Sequence, residues 1–431
     1  MSIVPDEFRY HFYPVGQGLF ACGLLLRSSE SGPRYCWVYD CGTSSADELI
    51  SAAIERLSRA LGSRQRLDLV ALSHFDHDHI SGVCRLIENF KIGTLMLPYL
   101  TLAQRLILAF AEGLEPRDEL TEFLLNPVAY LLARSGPGIE RILFVPASGG
   151  EGPPLPDGTP GDPHWGGDNP DIRFPPDKPK DPEEWTPLSE APRAAGMQTR
   201  VEFLRRGGAI YVGSLWEFVP YNDDPENQIP ADFRDRVREE RARLLGVNGR
   251  RSRNNALRRL RQIYDEQFGD SSDERNVISL FLYSGPIYSS WEQTWIYDVW
   301  QSFGFRGLRP VFRSRSFRAT RSLGSPRACS IIYSGDGYLD TTERLQRLAH
   351  YLRQQRIECT GLFQVMHHGA EANWHKGVAA TIAPFVSVFS SDPERKLWGH
   401  PHASVLRDFW PYGPCQVDKR RGVTSAGRLQ A

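Results

Sequence analysis

The chain alternates short apolar runs with stretches of helical spacing. Phe8–Val15, Leu19–Arg27 and Arg34–Tyr39 read as strands, the first two joined by Val15-Gly16-Gln17-Gly18, whose glycines permit a tight turn. Ser45–Leu61 has helical periodicity, Leu67–Leu72 is the apolar run of a buried strand, and Ile80–Phe90 returns to helical spacing. Ile92–Leu97 and Ile139–Val145 are further strands, with helical patterns over Leu102–Gly113 and Asp118–Arg134 between them. Val201–Leu204 and Ala209–Leu215 predict a hairpin around Arg205-Arg206-Gly207-Gly208, followed by helices over Ala231–Leu245 and Asn254–Phe268. Asn276–Leu282, Ile331–Tyr333, Leu362–Met366 and Phe385–Phe389 complete the set of strands. Such alternation predicts an α/β (α+β) sandwich of two sheets covered by helices. Ala147–Pro192, rich in Pro, Gly and Asp, reads as a loop. The expected organisation is therefore one half-domain over residues 1–146, an insertion over 147–275, and a second half over 276–431.

Composition narrows the class. A formal charge of −1, 41% apolar residues and no long apolar stretch predict an ordinary globular protein with no membrane anchor. The seven cysteines form no Cys-x-x-Cys pair and mostly fall in strand-like runs, so we expect buried free thiols and a cytoplasmic location.

The chemistry concentrates after Leu67–Leu72. In Ser73-His74-Phe75-Asp76-His77-Asp78-His79-Ile80-Ser81-Gly82, five groups able to bind metal fall within six residues. Imidazoles and carboxylates at a strand-to-helix junction, with no thiolate, suit Zn²⁺ or Mn²⁺ in a hydrolytic site better than a structural zinc. A solvated charged turn rarely stacks such groups. Three further strands end in similar chemistry: Ile331–Tyr333 runs into Gly335-Asp336, Leu362–Met366 into His367-His368-Gly369, and Phe385–Phe389 leads to Gly399-His400-Pro401-His402.

This ordered set resembles the metallo-β-lactamase superfamily, whose signature is His-x-His-x-Asp-His followed by a helix. Here it reads His74-x-Asp76-x-Asp78-His79. With Asp76 in the second histidine's place, it resembles the branch containing the hydrolase domain of the DNA-uptake protein ComEC, as do Val15-Gly16-Gln17-Gly18, Asp40-x-Gly42 and His367-His368-Gly369. Leu19 stands where that branch carries an Asp, and no histidine fills the superfamily's middle motif. The resemblance implies a four-layer αββα sandwich and two divalent metal ions held by His74, Asp76, Asp78, His79, Asp336, His400 and one or both of His367 and His368. It places Asp40, with Gln17, behind the ligands, and makes Asp336 a bridge between the ions. Asp78, Asp336, His368 and His402 are the catalytic candidates, with His375 and His402 considered as proton donors to the leaving group.

The implied activity is a two-metal hydrolase, most simply a nuclease whose bridging hydroxide attacks a DNA phosphodiester. Arg306, Arg309, Arg313, Arg315, Arg318 and Arg321, with Arg327, occupy a run free of acidic residues, and Phe305, Phe312 and Phe317 lie among them. Guanidiniums interleaved with aromatics suit a nucleic-acid backbone and its bases. A small-molecule or phosphocholine-type phosphodiesterase would use the same metals, and an interaction module would have lost them. A regulatory partner or a homo-oligomer is compatible with either.

Overall fold

The computed structural model describes residues 5–30, 32–102, 104–106, 119–156, 172–177, 199–223, 235–237, 239–240, 250–268, 279–287, 295–303, 307–313, 329–395 and 399–429. Within them the N-terminal strands β1 (Glu7–Phe12), β2 (Phe20–Leu26) and β3 (Pro33–Cys41) precede helix α1 (Asp47–Leu61) and β4 (Arg66–Ala71). A four-residue turn of helix, α2 (His77–Ile80), and α3 (Val83–Asn89) carry the chain to β5 (Lys91–Pro98) and, after two helices at Glu119–Leu125 and Pro127–Arg134, to β6 (Ile139–Val145). Short strands β7 (Ile172–Arg173) and β8 (Pro176–Asp177) lead to β9 (Arg200–Leu204), β10 (Ile210–Val212) and β11 (Trp216–Asn222). After a helix at Arg250–Phe268 come β12 (Leu280–Pro286), β13 (Trp295–Phe303), β14 (Gly307–Arg313) and β15 (Ser330–Tyr333). The last strands are β16 (Thr360–Gln364), β17 (Val386–Ser390), β18 (Pro414–Val417) and β19 (Arg421–Arg428).

These strands form two sheets. One orders β14-β13-β19-β1-β2-β3-β4-β5-β6-β9-β8 and the other β18-β17-β16-β15-β12-β11-β10-β7. Side chains alternate across each strand with a period of two, and here each face meets a different core. Along β3, Tyr35, Trp37 and Tyr39 face the second sheet, whereas Cys36, Val38 and Cys41 face Ile50, Ile54 and Leu57 of α1 and Leu86 of α3. Along β12, Leu280 and Leu282 join the core between the sheets, and Phe281 and Tyr283 meet Leu345, Leu348 and Leu352 of the helix Thr342–Leu352. Three stacked cores require four layers, helix on sheet on sheet on helix, which is the αββα sandwich expected from the sequence. The middle core is aromatic, and Trp37 fits because residue 23 is glycine: a Cβ there would lie 2.0 Å from the indole.

The segment read as an insertion supplies strands to both sheets. The hairpin expected at Val201–Leu215 does not form: β9 pairs with β6 and β8, whereas β10 pairs with β11 and β7 in the other sheet. The Arg205–Gly208 turn, with Gly207 at φ 66°, instead passes the chain between layers. The helix Arg250–Phe268 seats Leu260, Ile263 and Tyr264 on the α1 side of the sandwich. The patterns at Leu102–Gly113, Ala147–Pro192 and Ala231–Leu245 fall largely outside the described residues. All seven cysteines are free and six are buried, as expected, and no helix among the described residues is long and apolar enough to cross a membrane.

Close backbone packing sets the ligand loop. Leu19 N–H donates to Asp78 C=O at 3.1 Å and Gly82 N–H to Cys41 C=O at 2.8 Å, pinning α2 against the β1–β2 turn and the end of β3. A Cβ at Gly42 would stand 2.4–2.5 Å from the backbone of Asp78 and His79. Gly42→Ala is therefore expected to force these backbones apart and destabilise the protein by about 1–3 kcal/mol, read as a lowered chemical-denaturation midpoint at unchanged slope.

Candidate metal centre

Five of the site segments follow the C-terminal ends of strands β3, β4, β15, β16 and β17, so both sheets deliver their polar tips to one rim. The sheets are stitched there: Leu280 N–H donates to Ser73 C=O at 2.8 Å, and the Tyr39 hydroxyl to Leu280 C=O at 2.6 Å.

At the centre lies Asp336, 2% exposed, with one carboxylate oxygen turned to each side. Its Oδ2 is 3.7 Å from His74 Nε2 and 3.5 Å from His367 Nε2, and Asp76 Oδ2 is 3.6 Å from the same His74 nitrogen. Its Oδ1 is 3.0 Å from His79 Nε2 and 3.9 Å from His368 Nε2, with Asp78 Oδ2 3.0 Å from His368 Nε2. Asp78, His79, Asp336 and His368 each offer an atom within 4.8 Å of all the others. Ligand atoms about 2 Å from one ion lie about 3–3.5 Å apart, the scale of the group Asp78, His79, Asp336 and His368; His74, Asp76 and His367 lie on the other Asp336 oxygen at the slightly longer 3.5–3.7 Å.

The tautomers point the same way. His79 Nδ1 donates to Asp40 Oδ2 at 2.8 Å, and a carboxylate only accepts. Ser73 Oγ gives its proton to Asp40 Oδ2 at 2.7 Å, so at 2.8 Å from His74 Nδ1 it accepts. His368 Nδ1 donates to Ser390 C=O at 2.5 Å, and His367 Nδ1 lies 2.7 Å from Asn373 Oδ1. Each Nδ1–H being committed, four Nε2 lone pairs are left facing Asp336. His74 Nε2, His79 Nε2 and Asp336 Oδ1 are buried with no hydrogen-bond partner. Converging Nε2 and carboxylate groups of this kind are satisfied either by protons on the imidazoles or by divalent cations, and the donor set fits the latter.

Backbone strain concentrates at the same place. Asp40, His367 and His368 all have left-handed backbones, at φ 55°, 44° and 57°. Such conformations cost about 1–3 kcal/mol each and persist only where the surroundings fix them. The turn before Asp336 is fixed by Gln364, whose Oε1 accepts from the N–H groups of Ser334 and Gly335 at 2.8 and 2.7 Å.

Of the remaining sequence candidates, Gln17 is buried but reaches elsewhere, its Oε1 accepting from Asp392 N–H at 3.2 Å. His400 borders the cluster, its ring 5.7 Å from that of His367 and 6.2 Å from that of His368. Burial and the neighbouring histidines lower its pKa to about 4. His402 stands 5.0 Å beyond it and accepts at Nδ1 from Glu371 N–H at 3.0 Å, leaving its proton on Nε2. His375 is half-buried, its backbone N–H bound to Leu339 C=O. Arg309 and Arg313 lie on β14, an edge of the larger sheet, whereas Arg306, Arg315, Arg318 and Arg321 lie outside the described residues. Asn373 and Gln364 escaped the sequence reading. A lone polar residue within the apolar run Leu362–Met366 was a signal for Gln364, but nothing marked Asn373.

Comparison with known proteins adds little chemistry. No family model matches the chain, and no curated protein matches it. Among solved structures it is similar to the metallo-β-lactamase fold protein YhfI from Bacillus subtilis, at 10% identity over 97% of this chain and 100% of that one, with a TM-score of 0.36. A long form RNase Z from yeast gives 9% identity and a TM-score of 0.34 over 95% of this chain, which spans only 44% of that enzyme. The Rm3 metallo-β-lactamase gives 11% identity and 0.24, covering 86% and 89% of the two chains. The layers and the strand-end ligand cluster of the chain itself define a four-layer αββα sandwich with a candidate metal centre.

The electrostatics predict a pH signature. Burial opposes charge on His79, yet Asp336, Asp40 and Asp78 raise its pKa well above 6.5. His74 and His368 also end raised, against burial, by Asp76 and Asp336 and by Asp336 and Asp78 respectively. Burial disfavours the Asp336 carboxylate, but His367, His79 and His368 hold its pKa well below the usual range. In metal-free protein these imidazoliums neutralise the carboxylates, a stabilisation complete below the unfolded histidine pKa and lost as pH rises through the raised folded values. The carboxylates' own contribution is present above about pH 4 and lost as pH falls through their depressed values. Thermal melts across pH in chelator should therefore show stability declining above neutral pH, and Zn²⁺ or Mn²⁺ should abolish that decline by replacing the protons. Identical profiles with and without metal would contradict the site.

Proposed function

We propose that the chain is a metal-dependent phosphodiesterase acting on nucleic acid, with DNA its substrate. The observation that carries the reading is the pair of ligand sets on opposite oxygens of Asp336: His74, Asp76 and His367 on one side, Asp78, His79 and His368 on the other. Each set mixes two imidazoles with carboxylate oxygen, a donor set open to Zn²⁺ and Mn²⁺ alike. When bound, two such ions lower the pKa of water towards about 7 and stabilise charge on a leaving oxygen. In this reading Asp336 fixes the separation of the two halves, Asp40 and Ser73 hold His79 and His74 in their ligating tautomers, and His402, whose Nδ1 is taken by Glu371 N–H, is the residue proposed to protonate the leaving oxygen from Nε2.

The choice of DNA rests on the resemblance to the ComEC-like branch and on the run of guanidiniums from Arg306 to Arg327. One observation favours a smaller phosphodiester: Phe75, inside the ligand loop, packs edge-on at 5.0 Å against Phe123 of the helix Glu119–Leu125, which sets the helical segments beside the centre. Replacing Arg313, Arg315 and Arg318 together by Gln separates the two readings. A nuclease should lose DNA cleavage, with the log–log salt slope of binding reduced by roughly 0.7–0.9 per lost phosphate contact, and keep hydrolysis of a small chromogenic phosphodiester. Unchanged DNA binding and cutting at every salt concentration would leave the arginines without that role.

A further inference from the structure

Asn373 is fully buried and lies six residues after His367, on the same connection that follows β16. Its amide spans two of them. Nδ2 donates to the backbone carbonyl of Asp336 at 2.8 Å, and Oδ1 lies 2.7 Å from His367 Nδ1. A backbone carbonyl can only accept, so the Asp336 C=O fixes which end of the amide is which. Oδ1 must then face the imidazole, and His367 must donate from Nδ1. Its Nε2 lone pair is thereby aimed at Asp336 Oδ2, 3.5 Å away. One neutral side chain thus ties the tautomer of a ligand from the end of β16 to the backbone of the carboxylate following β15. On the other half the tautomers are set by other partners, His79 by Asp40 and His368 by Ser390 C=O. The loop itself is held independently, since Asn373 C=O accepts from Leu339 N–H at 2.8 Å.

We infer that Asn373 is a positioning residue for His367 and, through its tautomer, acts more strongly on the ion that His74, Asp76 and His367 would hold than on the other. It lets His367 serve where the sequence offers no middle histidine. This rests on the two-ion reading of the preceding subsection. Loss of such an outer partner weakens metal binding by about 10–100-fold, and here the weakening falls mainly on a single ion.

The test is stepwise Zn²⁺ titration of chelator-stripped full-length protein by calorimetry, with thermal melts of the metal-free forms as a control. Asn373→Ala should bind one ion nearly as the parent does and the other about 10–100-fold more weakly. Asn373→Asp retains an acceptor for His367 but sets a carboxylate oxygen against Asp336 C=O, and should fall between parent and Asn373→Ala. It also serves should the alanine variant fail to fold. Asn373→Asp is expected to lower the metal-free melting temperature while still melting cooperatively. If the parent itself binds fewer than two ions, the two-ion reading fails. If the parent binds two and the folded variants bind both with parental affinity, or weaken both equally, the assignment to Asn373 is overturned.

Discussion

Burying acceptors without donors is the constraint on which this structure turns. A rim of strand ends carries Asp336, Asp78 and four imidazoles whose Nδ1 protons are already committed, and their remaining lone pairs face one another at 3.0–3.9 Å. Such an arrangement is repulsive unless protons or cations occupy it. The raised histidine and lowered carboxylate pKa values are the protein's response when only protons are available. Divalent ions would supply the charge and accept the lone pairs directly, in place of protons.

The fold serves this constraint through rigidity. Three apolar cores fix the two sheets, and strands that end at a common rim bring groups more than 250 residues apart into contact. The strain is local: the left-handed backbones of Asp40, His367 and His368 stand where β3 and β16 end, and Gln364 and Asn373 hold the turns beside them. Glycine at position 42 lets α2 approach the end of β3 more closely than any side chain would allow.

Much of this was legible in the sequence because period-two apolar runs and a dense His/Asp cluster are local signals. β6 begins and ends where the pattern Ile139–Val145 says it should, and the ligand candidates at 74–79 and 336 meet as their strand-end positions implied. The Val201–Leu215 pattern misled because an apolar run does not say which sheet it joins, and β9 and β10 part company at Gly207. The pairing of His367 with Asp336 Oδ2 was hidden too, since it depends on two consecutive left-handed residues that no local pattern favours. Asn373 acts through one bond to His367, six residues back, and one to the Asp336 backbone, and no sequence pattern marks it.

The central claim is that Asp336 separates two cations. Anomalous diffraction from crystals grown with Mn²⁺ or Zn²⁺ tests it most directly. Two peaks are expected, one on each side of the Asp336 carboxylate, the first among His74, Asp76 and His367 and the second among Asp78, His79 and His368. No peak, or a single peak that leaves one Asp336 oxygen without an ion, would contradict it.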